Sequence, residues 1–332
     1  MTDALCIGGT RFIGRHTVEE LLAHDYSVAT FSRGESGDPF ADTENVTAVR
    51  GDRNERADLE AARDAHDPDY VFDFVGMVPE HVETATEVFA DCEAYVYVSS
   101  GSSYAEQDVP MREGETPLHE YDRSEDDADP MESVPELYGP RKAACDRAVF
   151  AAADAGVNAT AVRPMLVYGP HDYTERLDYW IARVLADDRV LVPGDGGSLF
   201  HRAYVGDVAS ALRLVAERGE AGAAYNVADR NTQSLRASLD RIAAAADTEV
   251  EVVTASAREL AAHDLDASAF PLYSPAPLLA ATDDLAALGW DSTDPVEAYA
   301  ATVADHRASD RDGSEVGPDP EATAAALDAL GE

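Results

Sequence analysis

Short apolar runs alternate with stretches of helical periodicity through the first half of the chain. Such runs predict β-strands, and apolar residues spaced three or four apart predict helices that bury one face. The predicted strands are residues 4–7, 27–31, 46–49, 70–75, 94–99 and 159–162. The predicted helices between them are residues 13–23, 57–65, 82–90 and 141–155. This alternation predicts an α/β fold, a doubly wound parallel sheet with helices on both faces.

Beyond Arg163 the pattern becomes less regular. Helices are expected at about residues 175–186 and 207–218, with a Pro-Gly-Asp-Gly-Gly turn at 193–197. We predict a first domain over residues 1–165, a smaller lobe over 166–308 that is partly interleaved with it, and an acidic tail over 309–332. The acidic stretch 106–135 is too long for an ordinary connection and is expected to be a surface loop beside the active cleft.

The charge of the chain narrows the class of partner. The 332 residues include 65 acidic and 25 basic side chains, which give a formal net charge of −40. Such a surface repels itself in dilute buffer but is tolerated at 1 M salt, where the Debye length falls to about 3 Å. We therefore expect a protein of a salt-rich cytoplasm that acts on a small molecule. Nucleic acid is not an expected partner, because no basic patch interleaved with aromatic residues occurs.

Cysteine usage and hydropathy suggest the compartment. Cys6, Cys92 and Cys145 lie far apart and leave no complete disulfide framework, so we expect core thiols in a reducing compartment. The first strand is reached by Leu5 without a basic, apolar leader, and no apolar run has membrane-spanning length. These features predict a cytoplasmic protein that does not bind membranes. The spacing of histidine and cysteine predicts no metal site.

A glycine-rich segment directly follows the first predicted strand and opens the first predicted helix. Its residues are Gly8, Gly9, Thr10, Arg11, Phe12, Ile13 and Gly14. Glycine permits a tight turn, and a helix N-terminus offers N–H groups to a pyrophosphate, so this placement favours cofactor binding over a plain strand–turn–helix connection. Arg11 replaces the middle glycine of the usual fingerprint, and its guanidinium could bind the pyrophosphate instead.

The end of the second strand bears on the choice between NAD and NADP. NAD enzymes place a carboxylate there for the ribose 2′-hydroxyl, whereas this chain has Ser32 and Arg33. Because Arg33 could pair with a 2′-phosphate, we favour NADP(H) within the NAD(P) class. The alternative is that Arg33 lies on a solvated loop. Asp52 and Arg53, just after the third strand, are placed to meet the adenine.

Two later segments predict acid–base chemistry. A serine-rich segment that includes Ser100 ends the fifth strand, and residues 138–142, Tyr-Gly-Pro-Arg-Lys, open the helix before the sixth. The i, i+4 spacing puts Tyr138 and Lys142 on one helix face. An ammonium beside a phenol stabilises the phenolate, so Tyr138 could exchange a proton with a substrate oxygen that Ser100 also holds. With 14 tyrosines in 332 positions, the single lysine falls four after a tyrosine by chance about 1 time in 24.

These motifs resemble those of extended or atypical short-chain dehydrogenases/reductases in the NAD-dependent epimerase/dehydratase superfamily, in the subgroup whose loop reads Gly-Gly-x-x-x-x-Gly. The resemblance covers roughly residues 3–300 and includes the segments at 163–164, 167–170, 205–209 and 225–227. It implies a Rossmann domain that binds NAD(P), followed by a substrate lobe. It also implies a catalytic triad of Ser100, Tyr138 and Lys142, in which Lys142 also bonds the nicotinamide ribose. The residues expected to line the cofactor groove are Val75, Gly76, Met77 and Pro164.

Departures from that superfamily bear on the substrate. Nucleotide-sugar epimerases hold the diphosphate with an asparagine and an arginine, and those positions here are Leu166 and Phe200. These replacements disfavour a nucleotide diphosphate substrate, although Arg176, Arg183 or Arg202 could compensate.

The leading hypothesis is an NAD(P)-dependent epimerase or reductase that acts on a C–OH or C=O centre of a small polar, sugar-derived compound, with Tyr138 as general acid/base. Gly101-Ser102 stands where sugar-nucleotide dehydratases carry an Asp-Glu pair, which disfavours elimination of water. Two alternatives stay open: an RNA-binding factor similar to plastid stem-loop-binding proteins, which the charge opposes, and a non-catalytic NAD(P) sensor. A homodimer is the assembly considered.

Overall fold

In the first half of the chain, the strands and helices follow one another in the order that the sequence pattern predicts. The computed structural model describes residues 3–35, 37–126, 128–129 and 134–330. The strands are β1 Ala4–Ile7, β2 Val28–Ser32, β3 Val46–Arg50, β4 Tyr70–Asp73, β5 Ala94–Val98, β6 Ala159–Pro164, β7 Leu166–Tyr168, β8 Arg189–Pro193, β9 Leu199–Phe200, β10 Arg202–Tyr204, β11 Ala224–Val227, β12 Gln233–Ser234 and β13 Glu251–Ala255. The helices are α1 Phe12–Ala23, α2 Arg56–His66, α3 Pro79–Val88, α4 Pro135–Asp154, α5 Asp178–Ala186, α6 Val205–Arg218, α7 Leu235–Ala246, α8 Ala257–Ala261, α9 Asp283–Ala287, α10 Pro295–Ala308 and α11 Pro320–Leu330.

A parallel sheet lies at the centre of the first part of the chain. Seven strands of the described residues form it in the order β11-β6-β5-β4-β1-β2-β3, and every neighbouring pair is parallel. This arrangement confirms the predicted doubly wound α/β fold. The winding reverses between β1 and β4, whose carboxyl ends lie side by side. Ligands of open α/β sheets bind at such a reversal, so a ligand site is expected at this edge of the sheet.

The sheet strands are buried on both faces. Leu5, Ile7, Val71, Tyr95 and Ala161 are fully buried in one apolar cluster with residues of the flanking helices. Continuous apolar strands are typical of parallel sheets covered on both sides, which explains why β1 and β5 have almost no polar positions.

Helix α4 begins earlier than the sequence pattern predicts. It starts at Pro135 rather than at residue 141, so Pro140 lies inside the helix. A proline there removes one helical hydrogen bond, which would have joined its N–H to the carbonyl of Glu136. Glu136 is exposed, so water can take that carbonyl, and the helix continues through Tyr138 and Lys142.

The chain forms two compact units that are interleaved along the sequence. The first comprises the described residues of Met1–Val167, Val205–Ala228 and Ala280–Asp291. The second comprises those of Tyr168–Tyr204, Asp229–Leu279 and Ser292–Glu332. The sequence predicts a smaller lobe over residues 166–308 that is partly interleaved with the first domain. Within that range, Val205–Ala228 belongs to the first unit, where β11 pairs with β6 and α6 packs on α1.

The C-terminal segment is packed into the second unit, although it was expected to form a separate acidic tail. Helix α11 contacts β8 and β13. Nδ1 of His306 lies 2.7 Å from Oδ1 of Asp178, and Arg311 Nε donates to the same oxygen at 3.2 Å. A Cβ at Gly317 would lie 2.2 Å from the Tyr179 ring, so the segment approaches α5 at van der Waals distance.

The cysteines are free thiols. Cys6 and Cys145 are buried, and Cys92 is partly buried. Burial raises the pKa of the Cys145 thiol to about 11, so it stays protonated at neutral pH.

Within the described ranges, no helix has the length and hydropathy needed to cross a membrane. Those ranges also contain no cluster of three or more histidine, cysteine or acidic side chains placed to hold a metal ion.

Candidate cofactor and catalytic site

The turn between β1 and α1 has no room for side chains at its glycines. A Cβ at Gly14 would lie 2.4 Å from the carbonyl oxygen of Gly8. Gly8 has a φ of +93°, and a Cβ there would lie 2.7 Å from Cγ1 of Val75. Helix α1 then begins at Phe12, and the extended N-cap residue Arg11 makes no side-chain capping bond. A tight backbone turn at a helix N-terminus fits a pyrophosphate.

The other predicted residues of this turn differ in exposure. Arg11 is exposed, Thr10 and Ile13 are half-buried, and Phe12 is buried. Arg11 is therefore a surface residue beside the turn.

The end of β2 places two arginines close together. Arg33 is half-exposed and forms an ion pair with Glu35 at 3.0 Å. Ser32 pairs in register with Arg50, the last residue of β3. A Cβ at Gly34 would lie 2.8 Å from Cζ of Arg50, so the Arg50 guanidinium lies against Gly34. Arg50 was not predicted from the sequence, because its proximity to Gly34 depends on the β2–β3 register.

The residues after β3 differ in role. The N–H of Asp52 donates to Asp58 at 2.8 Å, and Oδ1 of Asp52 accepts from Asn54 N–H at 2.9 Å. Arg53, which was expected to meet the adenine, is buried. Its Nη1 donates to both carboxylate oxygens of Asp73, at 3.0 and 3.1 Å. The guanidinium is thus engaged inside the protein, because a buried arginine needs a compensating carboxylate.

The predicted groove residues Val75, Gly76 and Met77 form a loop whose backbone is held at several points. Arg53 Nη2 donates to the carbonyl of His81 at 2.7 Å, and Met77 N–H donates to Nδ1 of His81 at 3.2 Å. Burial lowers the pKa of His81 to about 4, so this ring is neutral and can accept that bond. Val75 N–H donates to Asp73 at 3.1 Å. These bonds hold the backbone of the loop, and Val75 lies beside Gly8 of the glycine turn.

The three predicted catalytic residues lie at the same end of the sheet. Ser100 directly follows β5, and its Oγ accepts from Ser102 N–H at 3.1 Å. Helix α4 approaches this segment closely, because a Cβ at Gly139 would lie 2.5 Å from the carbonyl oxygen of Ser102. Tyr138 is 37% exposed, whereas Lys142 is 3% exposed. Nζ of Lys142 lies 6.0 Å from the centroid of the Tyr138 ring.

Lys142 is surrounded by oxygen acceptors. Its Nζ donates to Gly76 O at 3.1 Å, to Tyr97 Oη at 3.0 Å and to Val98 O at 3.0 Å. The hydroxyl of Tyr97 donates in turn to Gly76 O at 2.8 Å. Burial raises the pKa of Tyr97 well above its ordinary value, so this phenol stays neutral. Tyr97 was not predicted from the sequence, although the hydroxyl of a tyrosine within a buried strand needs a hydrogen-bond partner.

The remaining family motifs of the first unit organise a buried polar network. Arg163 pairs with Asp146 at 2.8 Å and donates to Tyr104 Oη at 3.0 Å. Tyr104 donates to Asn226 at 2.9 Å, and the N–H of Asn226 donates to Glu113 at 2.6 Å. Burial raises the pKa of the Glu113 carboxyl. The network joins β6 and β11 to the segment after Ser100.

Pro164 ends β6 beside that network and is buried. A Cβ at Gly101 would lie 3.6 Å from Pro164 O and 2.3 Å from Cε of Met165. Pro164 is therefore packed beneath the segment that carries Ser100.

A buried ion pair attaches the acidic stretch to α4. Arg141 donates through Nε and Nη2 to the two carboxylate oxygens of Asp126, both at 2.7 Å. The side chains of Arg141 and Asp126 are 2% and 3% exposed. The Arg141 bonds hold the pKa of Asp126 at about 2. Residues 127 and 130–133 of the predicted loop lie outside the described residues.

The arginines proposed to compensate for Leu166 and Phe200 have partners within the second unit. Arg176 donates to Thr174 at 3.0 Å. Cζ of Arg183 lies 3.5 Å from the centroid of the Tyr179 ring. Arg202 is buried and donates to Tyr299 Oη at 2.7 Å. All three side chains therefore have structural contacts of their own.

The profile of the NAD dependent epimerase/dehydratase family matches residues 4–228. A curated protein of Arabidopsis thaliana, chloroplast stem-loop binding protein of 41 kDa b, is 29% identical over 220 residues, which cover 63% of this chain and 53% of that protein. The chain thus spans about half the length of this relative.

Solved structures share the fold. A dTDP-glucose 4,6-dehydratase from Bacillus anthracis in complex with NAD matches with a TM-score of 0.71 at 18% identity, over 93% of this chain and 98% of the other. The UDP-glucose 4-epimerase of Thermus thermophilus, also in complex with NAD, matches with a TM-score of 0.68 at 24% identity, over 92% and 99% of the two chains.

Proposed function

Because the chain belongs to the NAD-dependent epimerase/dehydratase family of short-chain dehydrogenase/reductase enzymes, we propose that it is an NAD(P)-dependent epimerase or reductase. Its substrate is a small polar, sugar-derived compound that reacts at a C–OH or C=O centre. One observation carries the proposal: the glycine turn, Ser100, Tyr138 and Lys142 meet at one end of the parallel sheet. Membership of the Gly-Gly-x-x-x-x-Gly subgroup stays a prediction.

The proposed chemistry assigns one role to each side chain of the triad. The phenol of Tyr138 is partly exposed and exchanges a proton with the substrate oxygen. Ser100 Oγ accepts from Ser102 N–H, so its own proton is available to the same substrate oxygen. The buried charge of Lys142 stabilises a phenolate at Tyr138. The chemistry that a bound nicotinamide would supply at this site is hydride transfer from and to the substrate carbon.

The cofactor is assigned to the glycine turn and the neighbouring strand ends. The pyrophosphate is proposed to lie at the N-terminus of α1 beside Gly8 and Gly14, where the lack of side chains lets backbone approach it. Arg33 and Arg50 flank Gly34 and could bind a 2′-phosphate, which supports a preference for NADP(H). The carboxylate of Glu35 pairs with Arg33, so this preference requires the pair to open.

The decisive experiment is a cofactor titration followed by activity assays. NADH and NADPH are titrated in molar KCl, and metabolites retained by the loaded protein are identified by mass spectrometry. Tyr138→Phe is expected to reduce turnover of an identified substrate about 10²- to 10⁴-fold, the range for general acid–base catalysis. Unchanged turnover would show that the acid–base assignment is wrong. Tight binding without turnover across carbonyl and sugar substrates would favour a cofactor sensor instead.

RNA binding is a second candidate function, favoured by the match to the stem-loop binding protein of Arabidopsis thaliana. The net charge of −40 opposes it, because a polyanion is repelled unless basic side chains neutralise its phosphates. Filter binding to structured RNA in molar KCl tests it. Saturable binding that survives competition by unstructured RNA would support this function.

The expected setting of the protein follows from its charge. We propose that the enzyme works in a salt-rich cytoplasm, where concentrated cations screen the repulsion among its 65 acidic residues.

A further inference from the structure

The ammonium of Lys142 has used all three of its protons in this structure. Its bonds to Gly76 O, Tyr97 Oη and Val98 O measure 3.1, 3.0 and 3.0 Å. An ammonium has three N–H donors and no more. A bond from Lys142 to the ribose of a cofactor therefore requires one of the present bonds to break.

Gly76 O is the acceptor best able to lose the lysine. It also accepts the Tyr97 hydroxyl at 2.8 Å, so it keeps a hydrogen bond after Lys142 turns away. An unpaired buried carbonyl would otherwise destabilise the bound state. Gly76 lies on the predicted groove loop. The N–H group of Lys142 that no longer bonds Gly76 O is therefore close to where a cofactor is proposed to bind.

We propose that Tyr97 is a positioning residue of the cofactor site: its phenol fixes the Lys142 ammonium and retains the Gly76 carbonyl when Lys142 turns one proton to the cofactor. Tyr97 is fully buried on β5 and acts through Lys142 and Gly76 without touching substrate. This inference rests on the proposed function and deepens it by adding a residue to the cofactor site.

The chain provides a matched control on the same strand. Tyr95 is also fully buried, and its hydroxyl donates to Asp73 Oδ2 at 2.9 Å instead of contacting the lysine. Tyr97→Phe and Tyr95→Phe each remove one buried hydroxyl from β5. A merely structural effect therefore appears in both variants, whereas an effect through Lys142 appears in one.

The test is a double-mutant cycle read by cofactor affinity. Calorimetry measures the Kd of NADH and NADPH for the full chain, for Tyr97→Phe, Tyr95→Phe and Lys142→Met, and for the double variant Tyr97→Phe/Lys142→Met. Tyr97→Phe is expected to weaken binding about 10-fold, because the bound state leaves Gly76 O unpaired. Tyr95→Phe is expected to bind like the unmodified chain. In the Lys142→Met background, Tyr97→Phe is expected to change nothing further.

A second readout uses the fact that the chain has one lysine. Protein labelled with ¹³C at lysine Cε gives one lysine signal, which is expected to move when NADH or NADPH is added. The signal of the cofactor-free protein is expected to shift in Tyr97→Phe and to stay in place in Tyr95→Phe. This measurement tests the Tyr97–Lys142 contact even where a variant is too unstable for calorimetry.

The outcomes separate the two levels of the proposal. If the unmodified chain binds neither NADH nor NADPH, the proposed function fails. If it binds one of them while Tyr97→Phe and Tyr95→Phe weaken binding equally, or while the Tyr97→Phe effect persists in Lys142→Met, the function stands and the role of Tyr97 is overturned.

Discussion

The turn after β1 requires a residue without a Cβ at position 14. Alanine at this position would bring a Cβ within 2.4 Å of Gly8 O, a backbone atom that cannot move without opening the turn. Overpacking of this kind costs about 1–3 kcal/mol, so Gly14→Ala is expected to weaken cofactor binding about 10-fold or more. Calorimetric titration with NADH and NADPH measures the change.

Gly156→Ala is the control for that substitution. Gly156 has a positive φ but nothing within 4 Å of the added Cβ, so the variant introduces backbone strain without a collision. Its cofactor affinity is expected to equal that of the unmodified chain. Normal affinity in Gly14→Ala would mean that the turn does not approach the pyrophosphate.

The Asp126–Arg141 pair gives a prediction for stability against pH. Asn at residue 126 leaves the Arg141 guanidinium buried without its carboxylate, which costs about 3 kcal/mol at pH 7. The pKa of Asp126 is lowered to about 2, so the pair contributes fully above about pH 4 and is lost as pH falls through 2. Urea unfolding should therefore show a difference between Asp126→Asn and the unmodified chain that shrinks between pH 4 and pH 2.

The exposed Asp122 of the same stretch provides the comparison for Asp126. Asp122→Asn is expected to leave the urea midpoint unchanged at pH 7, because no buried arginine depends on it. A constant difference between Asp126→Asn and the unmodified chain down to pH 2 would contradict the assigned pair.

At this scale the sequence predicts residues whose chemistry is local. The glycine turn and the Tyr138–Lys142 spacing are readable because their members are neighbours along the chain. The burial of Arg53 cannot be read from the sequence, because its partner Asp73 is 20 residues away and the sheet brings the two together. Tyr97 is hidden for the same reason, since Lys142 is 45 residues away.

Among the elements, the segment after α10 is held to α5 by close contact. Gly317 has a φ of +94°, and a Cβ there would lie 2.2 Å from the Tyr179 ring. Gly317→Ala is expected to lower the free energy of unfolding by about 2 kcal/mol, through strain and overpacking together. Urea unfolding followed by circular dichroism measures the loss.

Gly114→Ala separates strain from collision in that experiment. Gly114 has a φ of +74° and nothing within 4 Å of the added Cβ. Its loss of stability is expected to be clearly smaller than that of Gly317→Ala. Equal losses would show that the contact with Tyr179 contributes nothing.

The predicted strands of the first half lie within a few residues of the observed ones, because buried parallel strands are continuous apolar runs. Prediction is weaker where an element depends on a distant partner. Strand β11 joins the sheet beside β6 with Ala224 paired to Ala161, 63 residues earlier in the chain, and this non-local pairing interleaves the two units along the sequence. The packing of α11 on β8 is equally non-local.

For the whole molecule, charge sets the conditions of stability. A formal net charge of −40 favours expansion, and salt opposes it by screening. Circular dichroism across a KCl series is therefore expected to show loss of structure below molar salt and recovery above it. A sucrose series of matched osmolality controls for excluded volume. Full structure in dilute buffer would refute the salt adaptation.

Because Lys142 is the only lysine of the chain and is buried, its modification or cleavage reports on the folded state around it. Lys142 is 3% exposed, so acylating reagents should not reach its ε-amine while the sheet and α4 stay together. A lysine-specific endoprotease likewise has a single bond to cut, within α4. Acylation of Lys142, located by peptide mass, therefore reports local opening of the structure around this residue. The appearance of two proteolytic fragments reports the same opening.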